Sequence, residues 1–202
     1  MHREGILIVI SAPSGAGKTT LCNGLVNRFP ALKESVSYTT RLPRPGEQDG
    51  VDYHFVPVER FKQMVTEHAF AEWAEVHGNL YGTAIATLEQ ARKDGIDILG
   101  DIDCLGARIL KDRNVNGIFV FVMPPSMTEL RRRLESRSSD AAEVIERRIV
   151  RAAEEIREAR WYDYIVVNDN LEDAQEGLAA IVTAARHTTG RMFGQVSKMF
   201  DL

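Results

Sequence analysis

Continuous apolar runs alternate with helix-like segments along much of the chain. Four runs predict buried strands: residues 6–10, 98–103, 117–122 and 164–167. Helical segments follow three of them: residues 19–29, 105–112 and 171–186. After the run at 117–122, Ser126 and Glu129 form the capping box of another helix. Strands that alternate with helices are typical of a parallel sheet, so the pattern predicts an α/β fold.

The pattern changes between residues 34 and 83. Alternating polar and apolar positions predict short strands at 36–40, 51–56 and 70–76, with one short helix near 58–67. This alternation of polar and apolar positions predicts a small mixed or antiparallel insertion within the parallel core, rather than a separate domain.

The rest of the chain is predicted to belong to the same single domain. Residues 126–160 have the pattern of an amphipathic helix pair, whose many arginines and acids indicate a solvated surface. The remaining core covers about 5–33, 84–125 and 161–190. The tail 187–202 carries Met and Phe residues that could pack on the body or on a neighbouring subunit, or could be disordered.

Composition narrows the class of protein. The 202 residues are 44% hydrophobic, and 25 basic against 29 acidic residues give a net charge of −4. This balance disfavours non-specific nucleic-acid binding, which needs a basic excess. No apolar run approaches the ~20 residues of a membrane span, and the N-terminus does not resemble a signal peptide. With two cysteines and no disulfide framework, we expect a cytoplasmic protein without nucleic-acid or membrane partners.

A phosphate-binding loop lies between the first strand and its helix. It matches the P-loop template except for its first glycine: Ala12, Pro13, Ser14, Gly15, Ala16, Gly17, Lys18 and Thr19. The glycines let backbone N–H groups turn towards a phosphate at the helix N-terminus, Lys18 can reach the β- and γ-phosphates, and Thr19 is placed for Mg²⁺. Alanine in place of the first glycine is costly only if that position needs a positive φ. The alternative is a glycine-rich turn with a surface lysine.

A second phosphate site is predicted in the insertion. Arg41 and Arg44 stand three residues apart on a proline-stiffened loop. Two guanidinium groups at a fixed spacing suit bidentate contacts with a phosphate. The alternative is a polar loop with solvated arginines.

The run from Ser37 to Phe55, SYTTRLPRPGEQDGVDYHF, resembles the nucleotide-binding signature of guanylate kinases. Further segments are similar to that family in the same order: Phe70–Ala74, Gly78–Thr83, Asp101–Asp103 and Tyr164–Asp169. The resemblance covers residues 5 to 186. It implies a P-loop kinase fold with a parallel five-stranded core sheet, a GMP-binding subdomain at about 34–83 and a helical lid at about 126–160.

The resemblance also implies an activity and its site residues. The activity is direct in-line transfer of the ATP γ-phosphoryl group to GMP or dGMP, with Mg²⁺. The GMP site would contain Ser37, Arg41, Arg44, Tyr53, Glu72, Tyr81, Thr83, Asp101, Asp103 and Arg148. The ATP site would contain residues 12–19 with Thr20, Arg137, Asn168 and Asp169. Lys18, Arg41, Arg44, Asp101, Arg137 and Arg148 would be catalytic, and Thr19 and Asp101 would hold the metal.

Several alternatives stay open. Arg147 competes with Arg148 as the second lid arginine, and Ser136 and Ser138 replace the family's lid glycines. Asn168 could form an Asx turn rather than read adenine. The whole chain could be a non-catalytic module that binds a phosphorylated partner, or a P-loop kinase with another acceptor. A homodimer is also left open.

Overall fold

The computed structural model of the chain describes residues 4–76, 78–136 and 141–201. Its strands are β1 (Leu7–Ser11), β2 (Leu32–Glu34), β3 (Ser37–Thr39), β4 (Tyr53–Phe55), β5 (Phe70–Val76), β6 (Asn79–Ala84), β7 (Asp97–Asp101), β8 (Ile118–Met123) and β9 (Tyr164–Val167). Its helices are α1 (Lys18–Arg28), α2 (Val58–Thr66), α3 (Ile85–Lys93), α4 (Cys104–Asp112), α5 (Met127–Ser136), α6 (Ala142–Glu158), α7 (Leu171–Arg186) and α8 (Thr189–Phe200), with a 3₁₀ helix at Ala159–Trp161.

The core sheet has five parallel strands in the order β2-β7-β1-β8-β9. All five residues of β1 are buried, because apolar clusters lie against both of its faces. The predicted α/β fold with a five-stranded parallel core is therefore confirmed. Ile10 of β1 pairs with Asp101 of β7, so the carboxyl ends of these strands, where parallel sheets present their ligand groups, lie side by side.

A second, small sheet has the order β4-β3-β6-β5. It is mixed, because β3 pairs with β4 in parallel and with β6 antiparallel. Phe61 of α2 stacks on Phe70 of β5 with ring centroids 4.5 Å apart, and these side chains form a separate apolar cluster beneath the sheet. The small sheet thus has its own core.

A buried ion pair ties the end of α7 to the core sheet. The Asp97 carboxylate is fully buried; it accepts from the backbone N–H of Ile6 at 2.9 Å and from Nε of Arg186 at 2.8 Å. Burying a carboxylate is tolerable only with such partners. Asp97 therefore fixes the amino-terminal side of the sheet, opposite the ligand edge.

The sequence pattern missed two core elements, and it left the tail undecided. Strand β2 and helix α3 were not predicted, and the tail contains α8, in which no residue is buried. Phe193 and Phe200 of α8 are exposed. Within the described ranges, none of the helices has the length and apolar character needed to cross a membrane.

Candidate functional site

The phosphate-binding loop connects β1 to α1 with a backbone that needs glycine at two positions. Gly15 and Gly17 have φ of 92° and 91°, in the left-handed region that glycine tolerates. Ala12 is not among the residues with positive φ, so alanine fits there without strain. The loop leads directly into α1, whose first residue is Lys18 and whose first turn carries no acid. The free N–H groups and dipole of that turn favour a phosphate.

Asn168, which follows β9, supports the loop from the other side. Its side-chain Nδ2 donates to the carbonyl of Ala16 at 2.7 Å. The same Nδ2 lies only 2.4 Å from the position that a Cβ on Gly17 would occupy, so this position has no room for a side chain. The Asx-type cap of α7 is made by Asn170, which accepts from the N–H groups of Glu172 and Asp173. The alternative of an Asx turn at Asn168 is therefore not what caps α7, because Asn170 makes that cap.

Lys18 and Asp101 form an ion pair at the carboxyl edge of the sheet. Burial acts to lower the pKa of Lys18, but the charge and hydrogen bond of Asp101 raise it more, so the net pKa of Lys18 lies above its ordinary value. Lys18 is therefore a fixed positive charge. Asp101 holds the ammonium group at the carboxyl edge of the sheet.

Two adjoining cavities lie at this edge, of about 300 Å³ and about 170 Å³. Lys18, Val76 and Asp103 line both of them. The larger one is further lined by Ala12, Pro13, Ser14, Gly15, Gly17, Thr19, Thr20, Arg148, Arg151 and Glu155. The smaller one is further lined by Ser37, Tyr53, Glu72, Ala74, Tyr81, Gly82, Asp101 and Ile102. A ligand above the P-loop and a ligand on the small sheet would therefore meet at Lys18.

Glu72 lies at the inner end of the smaller cavity and is only 5% exposed. Its Oε1 accepts from the Thr83 hydroxyl at 2.6 Å, and that hydroxyl lies 3.5 Å from the hydroxyl of Ser37. Burial raises the pKa of Glu72 to about 7, against the hydrogen bond from Thr83, which lowers it. A buried carboxylate with so few donors is suited to a ligand that brings its own N–H groups.

Asp103 completes this cavity from the first turn of α4. Its Oδ1 accepts from the backbone N–H of Gly106 at 2.8 Å and thereby caps the helix. Its Oδ2 is buried and has no hydrogen-bond partner within the described part of the chain. Asp103 lines both cavities, and a buried acceptor without a partner beside a cavity indicates a missing donor.

The arginine loop of the small sheet is held by an acid that the sequence analysis did not single out. Arg41 makes two parallel hydrogen bonds of 2.9 Å to the carboxylate of Glu47. The same carboxylate accepts from the backbone N–H of Arg44 at 2.7 Å, whose side chain is exposed. The guanidinium of Arg41 also lies 5.4 Å from the ring centre of Tyr53. The bidentate pair lowers the pKa of Glu47 and fixes the guanidinium plane.

The α5–α6 pair contributes arginines to the larger cavity. Arg148 is half-buried and lines it, whereas Arg147 is exposed and does not, so the geometry favours Arg148. Arg137 and Ser138 lie outside the described residues. Arg151 also lines the cavity, although the sequence analysis assigned it to the solvated surface. Its spacing of three from Arg148, which puts both on one helix face, is the signal that could have identified it.

A third cavity, of about 300 Å³, lies beside the P-loop at the end of β9. It is lined by Gly15, Gly17, Thr20, Arg133, Ser136, Asn168, Asp169 and Leu171. Arg133 donates to the carbonyl of Asn168 at 3.0 Å, which connects α5 to the P-loop edge. The third cavity thus extends the P-loop site towards Asn168, predicted to read adenine, and Asp169, predicted for the ATP site.

The donors at this edge fit a magnesium ion that arrives with a nucleotide. Thr19 and Asp101 offer hard oxygen atoms, which Mg²⁺ prefers. Among the described residues no group of three or more His, Cys, Asp or Glu side chains could hold a metal ion. Mg²⁺ is usually bound by one or two protein oxygens together with phosphates and water.

An apolar cavity of about 290 Å³ lies away from this cleft, at the amino-terminal side of β1. Arg113, which lines it, donates to the carbonyls of Phe70 and Ala71 and so links α4 to β5. Of the predicted site residues that the structure describes, none lines this cavity.

Comparisons with known proteins agree with the geometry. The family model of guanylate kinase matches residues 4–185. The chain is 57% identical to the guanylate kinase of Geobacter metallireducens and 55% identical to that of Geobacter sulfurreducens, in each case over the full length of both chains. The crystal structure of guanylate kinase from Anaplasma phagocytophilum has a TM-score of 0.76 at 32% identity and covers 99% of this chain and 97% of its own. This chain therefore belongs to the guanylate kinase family.

Proposed function

We propose that the contiguous cavities at the carboxyl edge of the core sheet are the active site of a guanylate kinase that converts ATP and GMP to ADP and GDP. Membership of the family gives this chain its activity, the ATP-dependent phosphorylation of GMP. The observation that supports this location best is that Lys18 and Asp103 line both the P-loop cavity and the Glu72 cavity. A donor phosphate and an acceptor phosphate would then face the same ammonium group.

The core, the small-sheet subdomain and the lid each bind a different part of the two substrates. The core at about 5–33, 84–125 and 161–190 holds ATP on the P-loop, with Asn168 and Asp169 beside adenine. The subdomain at about 34–83 holds GMP. The lid at about 126–160 brings Arg148, and by resemblance Arg137, over the phosphates.

Guanine is recognised by the carboxylates of Glu72 and Asp103. Glu72 accepts from the N1–H and 2-amino groups of the base, and the free Oδ2 of Asp103 accepts from the 2-amino group. Adenine lacks both donors on that edge and would leave a buried carboxylate unpaired, which is costly. Thr83 and Ser37 orient Glu72 through their hydroxyl groups.

The phosphate of GMP is held by Arg41, Arg44, Tyr53 and Tyr81. The two guanidinium groups donate charge-assisted hydrogen bonds to the phosphate dianion, and the two phenol groups donate neutral ones. This phosphate is already ionised at neutral pH and needs no general base. Lys18 leaves Asp101 to contact the transferring phosphoryl group, and the in-line geometry is set by the two binding sites.

Mg²⁺, which Thr19 and Asp101 would hold, neutralises phosphate charge when it is bound with ATP. Lid arginines that cover the site also exclude water, which would otherwise hydrolyse ATP. A cytoplasmic location is consistent with the free, buried thiols of Cys22 and Cys104.

A nucleotide panel tests this proposal. ADP release would be measured in a coupled assay with GMP, dGMP, AMP, CMP and UMP as acceptors. We expect turnover with GMP and dGMP and little with the others. Turnover chiefly with AMP would contradict the roles of Glu72 and Asp103, and tight binding of a phosphopeptide without any turnover would contradict the enzyme itself.

A further inference from the structure

Arg151 connects the lid to the cavity that we assign to guanine. It lies on α6, one turn after Arg148, and lines the cavity above the P-loop. Its Nε donates to the Glu155 carboxylate at 3.0 Å, and its Nη2 lies 4.0 Å from Oδ2 of Asp103. A cation from the lid helix therefore stands beside the carboxylate at the first turn of α4.

The carboxylate of Asp103 is held differently at its two oxygens. Oδ1 is fixed by the backbone N–H of Gly106, whereas Oδ2 is buried without a hydrogen bond in the described structure. A buried carboxylate oxygen needs a nearby positive charge or a donor from a ligand. Arg151 supplies that charge at a distance that leaves the lone pairs of Oδ2 available.

Glu155 sets the position of Arg151 on the helix. The two side chains are four residues apart on α6, so they lie on one face of the helix. Asp103 and Glu155 thus flank the guanidinium group of Arg151. Glu155 belongs to the lid helix α6, whereas Asp103 belongs to the core. Movement of the lid would change the distance from Arg151 to Asp103 without changing its contact with Glu155.

We propose that Arg151 is a positioning residue that couples lid closure to recognition of the guanine 2-amino group, because its positive charge orients Oδ2 of Asp103. This inference rests on the proposed role of Asp103 in the GMP site. Arg151 is about half exposed, at 49%, so its pair with Asp103 is screened and breakable. Such a contact can respond to lid position, whereas a buried ion pair would be a permanent part of the fold.

The test compares GMP with IMP, which keeps the N1–H and the 6-oxo group but lacks the 2-amino group. The ratio of kcat/KM for GMP to that for IMP measures the interaction with that amino group. It would be determined for the wild type, Arg151→Gln, Arg151→Lys, Asp103→Asn and the double variant. Arg157→Gln, at an exposed position of the same helix, is the matched control, and thermal melting of each variant checks its fold.

We expect Arg151→Gln to lower the GMP/IMP ratio of kcat/KM about two- to fivefold, because a half-exposed ion pair is screened by solvent and contributes little energy. Arg151→Lys should keep most of the ratio, and Arg151→Gln should add nothing in the Asp103→Asn background. Equal losses for GMP and IMP, or an unchanged ratio, would overturn the coupling. An unchanged ratio in Asp103→Asn would overturn both this inference and the proposed role of Asp103, which separates the two failures.

Discussion

The two phosphate-binding regions of this kinase are built in different ways. We assign phosphate binding in the P-loop to backbone N–H groups, and the shape of this loop is fixed by Gly15 and Gly17 at positive φ. We assign phosphate binding in the arginine loop of the small sheet to side chains, and the shape of this loop depends on the bidentate pair of Arg41 and Glu47. A backbone site is thus specified by conformation, whereas a side-chain site is specified by internal counter-ions.

This difference has a consequence for closure. The P-loop is joined to the core through β1, α1 and Asn168, which bonds to Ala16. The small sheet has its own apolar cluster around Phe61. We therefore expect the ATP side to be preformed and the GMP side to move as a unit.

Replacing Lys18 should have the largest effect, because this residue lines both cavities and we assign it to both phosphates. Lys18→Ala is expected to lower kcat about 100- to 1000-fold, the range found when one charge-stabilising donor is removed. Steady-state kinetics would measure it. Lys62→Ala, on the exposed face of α2, is the control, and a loss below tenfold for Lys18→Ala would contradict a direct role in transfer.

Glu72→Gln tests the side-chain site at the base. We expect kcat/KM for GMP to fall about 10- to 150-fold, because hydrogen bonds to an ionised acceptor are lost. KM for ATP should change little. Glu75→Gln lies on the same strand, β5, at an exposed position and should leave the kinetics unchanged. Equal losses in these two variants would refute selective recognition by Glu72.

Glu72 also makes stability depend on pH. Its pKa of about 7 in the folded protein lies above the ordinary 4.5. Between these values the folded state binds more protons than the unfolded state, so the free energy of unfolding falls as pH rises through that window. Urea unfolding at pH 5 and 8 should therefore show a smaller loss in Glu72→Gln than in the wild type. An equal loss would place the proton on another group.

Gly17→Ala and Gly46→Ala compare the rigidity of the P-loop with that of the arginine loop, because the two glycines have nearly the same φ. Both glycines have φ near 92°, with 91° at Gly17 and 92° at Gly46. A Cβ on Gly17 would meet Asn168 at 2.4 Å, whereas nothing lies within 4 Å at Gly46. We expect kcat/KM for ATP to fall about tenfold or more in Gly17→Ala, and GMP kinetics to change only about twofold in Gly46→Ala. The reverse order would show that the arginine loop is the more rigid site.

Glu47→Gln should affect GMP binding only modestly. Without the bidentate pair, Arg41 loses its fixed plane but keeps its charge. We expect KM for GMP to rise about two- to fivefold with kcat nearly unchanged. Glu67→Gln, which removes an exposed acid paired with Arg60 at 3.8 Å, is the matched control. A rise in KM for ATP instead would place Glu47 outside the GMP site.

The sequence predicted those parts of the molecule whose pattern is local. The P-loop and β1 are contiguous, so motif and apolar run identified both. Strand β2 was missed because only Leu32 of its three residues is buried, and α3 because it follows β6 without a side-chain cap.

Side-chain partners were harder to predict than backbone elements. Arg41 and Glu47 meet only because their loop folds back, and Asn168 and Ala16 are 152 residues apart. The burial that raises the pKa of Glu72 depends on β6 and α4 packing over β5, which no local pattern encodes.

The central claim is that GMP is bound by an ionised Glu72 in a buried pocket. Isothermal titration calorimetry of GMP binding at pH 7, in buffers of different ionisation enthalpy, counts the protons released. Since a group with a pKa of about 7 is half protonated there, the wild type should release roughly half a proton more than Glu72→Gln. Equal proton release in the two proteins would contradict the claim.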